Sequence, residues 1–531
     1  MTVPNGGDAV AAALLHSGVT TVFGIPASYT VEIYDAIGRQ GSIRSIVARN
    51  EQAAAFMADG YARRSGQPGV VVVTGGPGLG NTVTGLQTAY ADSSPLVVIA
   101  SDHNPSQRSS RLMGLPHEAL NQATLAEATG ARVVRADAGA SIFGAVEETL
   151  AACRSGRPRP AVVLISRAAL EAPEASGRPD MEPSRTDEPR TADEELDQVA
   201  ALLAGATDPV VLAGAGVIRG RAEPQLARLL RKTGLPVVTT VPGRSSVDRA
   251  SGWVGVMDND HTRAIVERAD LVLALGTSFG WASTADWTLR IGGTLIHVDV
   301  DPTCLGQHYE ADLAIEADVR AFLASLADTM GCLRTRPDLR RPAIDPVTTS
   351  HPWTDPIESV LPSRAVTICG DVTMASRWIP GGVSLGPDRR LMTPWNFQTL
   401  GWAYGAALGV QAAAPDETVL AVMGDGGALF TLAELATAVE HELPVCLLVY
   451  NNRSYGIIAE VQDAACEGRR FGVDLEQPDF TAVAGAFGMP ASRADTPEQL
   501  EAALMRHIGS GAPSLIEARV GIGDLGVDSH Q

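Results

Sequence analysis

Short apolar runs, each closed by glycine, proline or a polar residue, alternate along the chain with longer segments whose apolar positions return every three or four residues. The runs read as buried parallel strands and the longer segments as amphipathic helices, and their alternation predicts an α/β fold. In the first part, helical spacing covers 8–17, and strands are predicted at 20–23, 42–48, 69–74, 96–100 and 161–165. Gly24-Ile25-Pro26 makes a turn after the first strand, and Asn50 is a helix N-cap with Glu51 in the first turn. The 69–74 strand runs into Gly75-Gly76-Pro77-Gly78-Leu79-Gly80-Asn81, a loop able to approach a ligand closely.

The pattern lapses twice. Residues 168–190 are rich in Pro, Glu, Asp, Arg and Ser without period and read as a linker; Thr191 and Glu194 then resemble a capping box. A second linker is expected at 334–353. Between them lie strands at 209–213, 237–241, 271–275 and 294–299, and after them a strand at 365–369. The expected architecture is three doubly wound parallel-sheet domains, at 1–170, 191–333 and 354–531. Gly214-Ala215-Gly216 lacks the third glycine of the dinucleotide fingerprint and is a weak nucleotide signal.

Composition narrows the class. A chain of 531 residues exceeds a single core and fits about three domains. It is 45% hydrophobic, has no apolar run of membrane-spanning length and starts without a secretory pattern, so a cytoplasmic location is the default expectation. Six cysteines without metal-ligand spacing are expected to be free thiols. A net charge of −20 argues against nucleic acid or an anionic membrane as partner.

Candidate chemistry gathers late in the chain. The apolar run 418–423 ends in Gly424-Asp425-Gly426-Gly427, a helical pattern follows over 428–440, and the next strand, 445–450, leads to Asn451-Asn452-Arg453-Ser454. Strands joined through one helix finish at the same sheet edge, where open α/β folds bind ligands, so Asp425 and Asn452 should meet there. Their side-chain oxygens suit magnesium or calcium, and the glycines let backbone amides approach an anion.

This stretch resembles the signature of thiamine-diphosphate enzymes, which opens Gly-Asp-Gly and closes Asn-Asn; here the two ligand positions are 27 residues apart. The run from Arg49 to Arg63 resembles the same enzymes' first-domain signature. The resemblance implies that Asp425 and Asn452 bind Mg2+ by side chain and Ser454 by its carbonyl. It implies that Gly424, Gly426, Gly427, Asn452 and Ile457 line the thiamine diphosphate. Glu51 would touch the aminopyrimidine ring nitrogen and share its proton, and Leu400, 25 residues before Asp425, would prop the cofactor in its bent form. It covers the whole chain, in the order pyrimidine-binding, middle and diphosphate-binding domain. It implies a homodimer or homotetramer with active sites between subunits. Related acetolactate synthases carry FAD in the middle domain, but Gly276-Thr277-Ser278-Phe279-Gly280 does not look like their flavin-contacting loop, so no flavin is expected.

The resemblance also bounds the reaction. The expected activity is non-oxidative decarboxylation of a small-molecule 2-oxo acid to an aldehyde and CO2 through an enamine, within the superfamily of acetolactate synthase, benzoylformate decarboxylase and 2-oxo acid decarboxylases. A carboligase like acetolactate synthase is the alternative, and a non-catalytic assembly or regulatory subunit stands as a different class. Candidate substrate-pocket residues are Ser28, Tyr29, Thr74, His117 and Ile458, with His117 as a proton relay.

Overall fold

The computed structural model describes residues 4–108, 111–137, 141–173, 191–332 and 348–526. It contains three six-stranded sheets. The first comprises β1 (Thr21–Gly24), β2 (Arg44–Val47), β3 (Gly69–Val73), β4 (Leu96–Asp102), β5 (Arg132–Ala136) and β6 (Ala161–Ser166), in the order β2-β1-β3-β4-β6-β5. The second comprises β7 (Pro209–Ala213), β8 (Val237–Thr239), β9 (Trp253–Val256), β10 (Leu271–Leu275), β11 (Thr294–Asp299) and β12 (Leu313–Glu316), ordered β12-β11-β10-β7-β8-β9. The third comprises β13 (Val366–Gly370), β14 (Arg389–Met392), β15 (Thr418–Gly424), β16 (Cys446–Asn451), β17 (Ala491–Ala494) and β18 (Ser514–Arg519), ordered β14-β13-β15-β16-β18-β17. Strands pair in parallel with helices between them, as expected for sheets covered on both faces.

The chain divides into two compact units: residues 1–186, 369–373 and 396–531 form one, and 187–368 with 374–395 the other. In the first unit, two helices, Glu51–Ser65 and Trp402–Ala413, lie against each other because glycine occupies the points of closest approach. A Cβ on Gly409 would stand 1.8 Å from the Met57 carbonyl oxygen, and one on Gly60 2.1 Å from that of Ala406. The same seam buries a charged group that is fully partnered. Asp59 accepts from Trp402 Nε1 at 2.7 Å and from Arg63 at 2.8 and 3.0 Å, and Arg63 also reaches Asp92. Burial works against the Arg63 charge, but the Asp59 and Asp92 carboxylates outweigh it and hold the guanidinium above its ordinary range.

In the second unit, Arg244 is wholly buried, with its guanidinium 4.0 Å above the Trp253 ring. It donates to the carbonyls of Pro380, Val247 and Leu385, so it fastens segment 374–395 to the sheet. Burial, then Arg249, lowers this guanidinium to about 9. At the carboxyl ends of β7 and β10, Gly214 N donates to Leu275 O and Gly216 N to Gly276 O, both at 2.9 Å.

Several expected elements differ. The helix expected over 428–440 is broken: a short helix Asp425–Ala428 is followed by a 3-10 turn Leu432–Glu434 and a helix Leu435–Glu440. Tight bonds from Phe430 N to Gly427 O and Thr431 N to Ala428 O bend the chain there, placing Phe430 Cβ where a side chain on Gly401 would sit. The helix after the first linker is Asp193–Gly205, capped by Glu195 reaching the Ala192 amide rather than by Thr191 and Glu194. Part of that linker, Arg167–Glu171, is helical. The rest of it from 174, and residues 333–347 of the second linker, lie outside the described residues.

Candidate active site

Two groups of the residues singled out above form, both in the first unit. The first surrounds Glu51, half-buried in the first turn of its helix behind the cap Asn50, whose side chain accepts from Gln52 N. Glu51 Oε2 accepts from Asn81 Nδ2 at 2.9 Å, and Oε1 lies 3.5 Å from where a Cβ on Gly78 would stand. The Glu51 charge also acts on Tyr34: its hydroxyl donates to Val72 O, lies 2.7 Å from a would-be Cβ on Gly24, and is driven upward in pKa by burial, then by Glu51. Thr74 is buried beside Ser101, and Gly75 N donates to the Ser101 hydroxyl. Gly76 has φ near +60°, and a Cβ there would meet the His117 carbonyl oxygen at 2.3 Å, so the glycine loop supports the loop carrying His117. The Tyr29 ring stands edge-on to His117 at 5.2 Å, and Ser28 is exposed beside it. Glu118 accepts from the amides of Met113, Gly114 and Leu115, and these bonds, the Met113 one foremost, hold its carboxyl below the usual range against the opposing effect of burial.

The second group lies at the carboxyl ends of β15 and β16, where Gly424 pairs with Tyr450. Asp425 is 1% exposed and its Oδ2 has no hydrogen-bond partner. Burial pushes its carboxyl up to about 6, offset in part by the Gly426 amide. Gln477 has both amide atoms buried and unbonded, and the Ser454 hydroxyl is buried in the same state. Asn452 Oδ1 accepts from Ser454 N. Its neighbour Asn451 is structural, bridging Glu517 and the Arg453 amide. The motif's glycines are sterically required. A Cβ on Gly426 would meet the Tyr455 ring at 2.6 Å, one on Gly427 Asp371 Oδ2 at 2.7 Å, and one on Gly424 Thr373 Oγ1 at 3.0 Å. Leu400 is half-buried just before the cap Gly401. Ile457 is half-buried, and Ile458 is 50% exposed, as is Val461 one turn further along the same helix at 55%.

Orphaned buried oxygens on one carboxylate and its neighbours are costly without a partner, and an all-oxygen set suits a hard cation. The residues present therefore fit magnesium bound against a diphosphate. Among the described residues no three His, Cys, Asp and Glu side chains gather as a metal-holding group. Glu51 and Asp425 share no hydrogen bond or ion pair.

Some residues here had escaped the sequence reading. Gln477 and Asp371 are far in sequence from Asp425 and Gly401, and Asn81, at the end of the glycine loop, had no sequence link to Glu51. Asp371 is fully buried, accepts from Gly401 N at 2.8 Å, and is raised to about 7 by burial against the Gly401, Val372 and Trp402 amides. Its only sequence signal was an acid directly after the glycine ending a buried strand.

Comparison with known proteins fits this arrangement. The N-terminal thiamine pyrophosphate binding domain of the thiamine pyrophosphate enzymes matches residues 4–125, their central domain residues 196–326 and their C-terminal thiamine pyrophosphate binding domain residues 371–518. A probable 2-ketoarginine decarboxylase of Pseudomonas aeruginosa is 32% identical over 97% of this chain and 93% of its own length. The acetolactate synthase isozyme 3 large subunit of Escherichia coli is 28% identical over 95% and 92%. A probable acetolactate synthase large subunit of Methanocaldococcus jannaschii is 29% identical over 96% and 91%. The chain belongs to the thiamine pyrophosphate enzymes, in the family of acetolactate synthases and related decarboxylases. It is an enzyme that depends on thiamine diphosphate. Among the described residues no helix is long and apolar enough to cross a membrane.

Proposed function

We propose that this enzyme decarboxylates a 2-oxo acid to the corresponding aldehyde. The observation that carries the cofactor site is the buried Asp425 carboxylate, with its unpartnered Oδ2, at the shared edge of β15 and β16. Bound thiamine diphosphate supplies a nucleophilic carbon and an electron sink for cleaving the bond to the carboxylate. Asp425, Asn452 and the Ser454 carbonyl hold Mg2+ against the diphosphate, and the Gly424, Gly426 and Gly427 backbone approaches it closely. Leu400 and Ile457 shape the cofactor's seat, and Glu51, oriented by Asn81, holds a proton at the aminopyrimidine nitrogen. His117, backed by Tyr29, moves a proton on the substrate side, with Ser28, Thr74 and Ile458 around it.

In one chain the Glu51 group and the Asp425 group are unconnected by a direct bond, and Ile458, expected to line the substrate pocket, is 50% exposed. A homodimer or homotetramer in which a second copy covers this face and brings its own Glu51 to the metal-binding turn accounts for both features. The second unit acts without flavin in this reading, because the Gly214 and Gly216 amides are already bonded to the β10 end.

Decarboxylation is favoured by the 32% identity to a probable 2-ketoarginine decarboxylase. Acyl transfer to a second carbonyl compound is the second reading, favoured by the acetolactate synthases among the relatives. Product NMR with thiamine diphosphate, magnesium and a panel of 2-oxo acids, with and without an added aldehyde, decides. Aldehyde and CO2 from one acid alone support decarboxylation; product only when the second carbonyl compound is present supports ligation.

A further inference from the structure

Glu434 is fully buried, nine residues beyond Asp425 in the 3-10 turn Leu432–Glu434. Its carboxylate is held by backbone amides and a hydroxyl, with the Arg49 charge acting on it besides. Oε1 accepts from the Arg49 and Asn50 amides at 3.0 and 3.1 Å, and Oε2 accepts from Arg49 N at 3.2 Å and from the Thr437 hydroxyl at 2.6 Å. Asn50 in turn caps the helix that begins at Glu51. One turn further on, Thr437 Oγ1 lies 3.3 Å from the Val47 carbonyl, and His441 Nε2 accepts from Val47 N at 3.0 Å. The backbone from Val47 to Asn50, where the chain leaves β2 for Glu51, is thus bonded by side chains at 434, 437 and 441, on the peptide that follows the metal-binding turn.

A buried carboxylate costs several kcal/mol unless bonded, so packing alone is better served by an apolar residue. Its acceptors point at the two amides that fix where the helix starts. We propose that Glu434 is a positioning residue for Glu51: it locks the Arg49-Asn50 peptide and so sets where the Glu51 carboxylate stands, tying that position to the metal-binding half of the same chain. The proposal rests on the reading that Glu51 faces the cofactor.

The test compares full-length Glu434→Ala, Glu434→Gln and Glu51→Gln with the wild-type enzyme. Hydrogen–deuterium exchange of peptides covering 47–56, measured without cofactor, should accelerate in Glu434→Ala. Proton exchange at the thiazolium carbon of bound thiamine diphosphate should slow by about tenfold to a hundredfold, the penalty of displacing a catalytic group by about 1 Å. Magnesium-dependent cofactor affinity should stay within about threefold, since the metal-binding residues are untouched. Glu434→Gln retains an acceptor oxygen and should return both exchange rates toward wild type. Wild-type exchange at the thiazolium carbon in a folded Glu434→Ala enzyme would overturn the proposal. If Glu51→Gln itself exchanges at the wild-type rate, the reading of Glu51 fails instead. Should Glu434→Ala not fold, Glu434→Asp, which keeps the charge but withdraws it by one methylene, must show the same two changes; wild-type rates in it overturn the proposal equally.

Discussion

Replacing Asp425 by asparagine separates what the site costs the fold from what it gives the enzyme. The carboxylate is 1% exposed, its Oδ2 is unpartnered, and burial raises its pKa from 3.8 to about 6. A group whose folded pKa lies above its unfolded one loses stability as pH rises between the two values, so above pH 6 the metal-free fold carries the full penalty. At 1.36 kcal/mol per pKa unit, that penalty is about 3 kcal/mol, an upper figure because the site relaxes. Asparagine keeps the shape and removes the charge. Without magnesium and cofactor, Asp425→Asn should therefore melt higher than wild type at pH 8, by up to about 5 °C. With both ligands the order should reverse, because losing a charged ligand weakens magnesium binding by about tenfold to a hundredfold, the worth of about 1.5–3 kcal/mol. Thermal melts with and without ligands, and calorimetric titration of magnesium at saturating thiamine diphosphate, read both. A variant that melts lower without ligands, or binds magnesium like wild type, refutes the assignment of Asp425 as a buried ligand kept charged for the metal.

Three further outcomes follow from the packing. Gly409→Ala drives a Cβ into the Met57 carbonyl, where backbone meets backbone, and should destabilise the first unit by at least about 1–3 kcal/mol in denaturant melts; a neutral result contradicts the close helix seam. His441 accepts from Val47 N only when neutral, and burial lowers its pKa, with Arg44 and Arg49 adding to the effect and Glu440 opposing it. Its contribution, about 1 kcal/mol, is present above the unfolded value of about 6.5 and lost as pH falls through the lower folded value, so the stability gap to His441→Ala should shrink on acidification; a gap independent of pH contradicts it. With the Gly214 and Gly216 amides bonded to the β10 end, the purified enzyme should show no visible flavin absorption, and copurified FAD would contradict that reading.

What the sequence made legible was the interior. The strands read from apolar runs, such as 69–74, 271–275 and 418–423, are central and buried on both faces, so their composition announces them. The strands β5, β9, β12, β14 and β17 went unread, and all lie at sheet edges. Runs such as Arg132-Val-Val-Arg-Ala and Ala491-Ser-Arg-Ala mix charge with apolar residues because one side of an edge strand meets solvent. An interior strand, β18, was also missed, because buried Glu517 interrupts its apolar run while satisfied by Asn451 and Arg493. In the candidate site, Asp425, Asn452 and Glu51 stand out in the sequence because glycines and caps frame them locally. Gln477 and Glu434 do not, nor does the bond from Asn81 to Glu51, since each matters only through a partner brought near by tertiary packing.

The most direct test of the site as a whole is to assemble Glu51→Gln and Asp425→Ala chains together and measure 2-oxo acid turnover. Each variant alone should be inactive. If the Glu51 group of one copy serves the Asp425 group of another, mixed dimers contain one intact site, and random assembly should restore about a quarter of the wild-type sites. Activity that stays absent in mixed dimers shown to have formed would place both groups of one chain in one site and contradict the account.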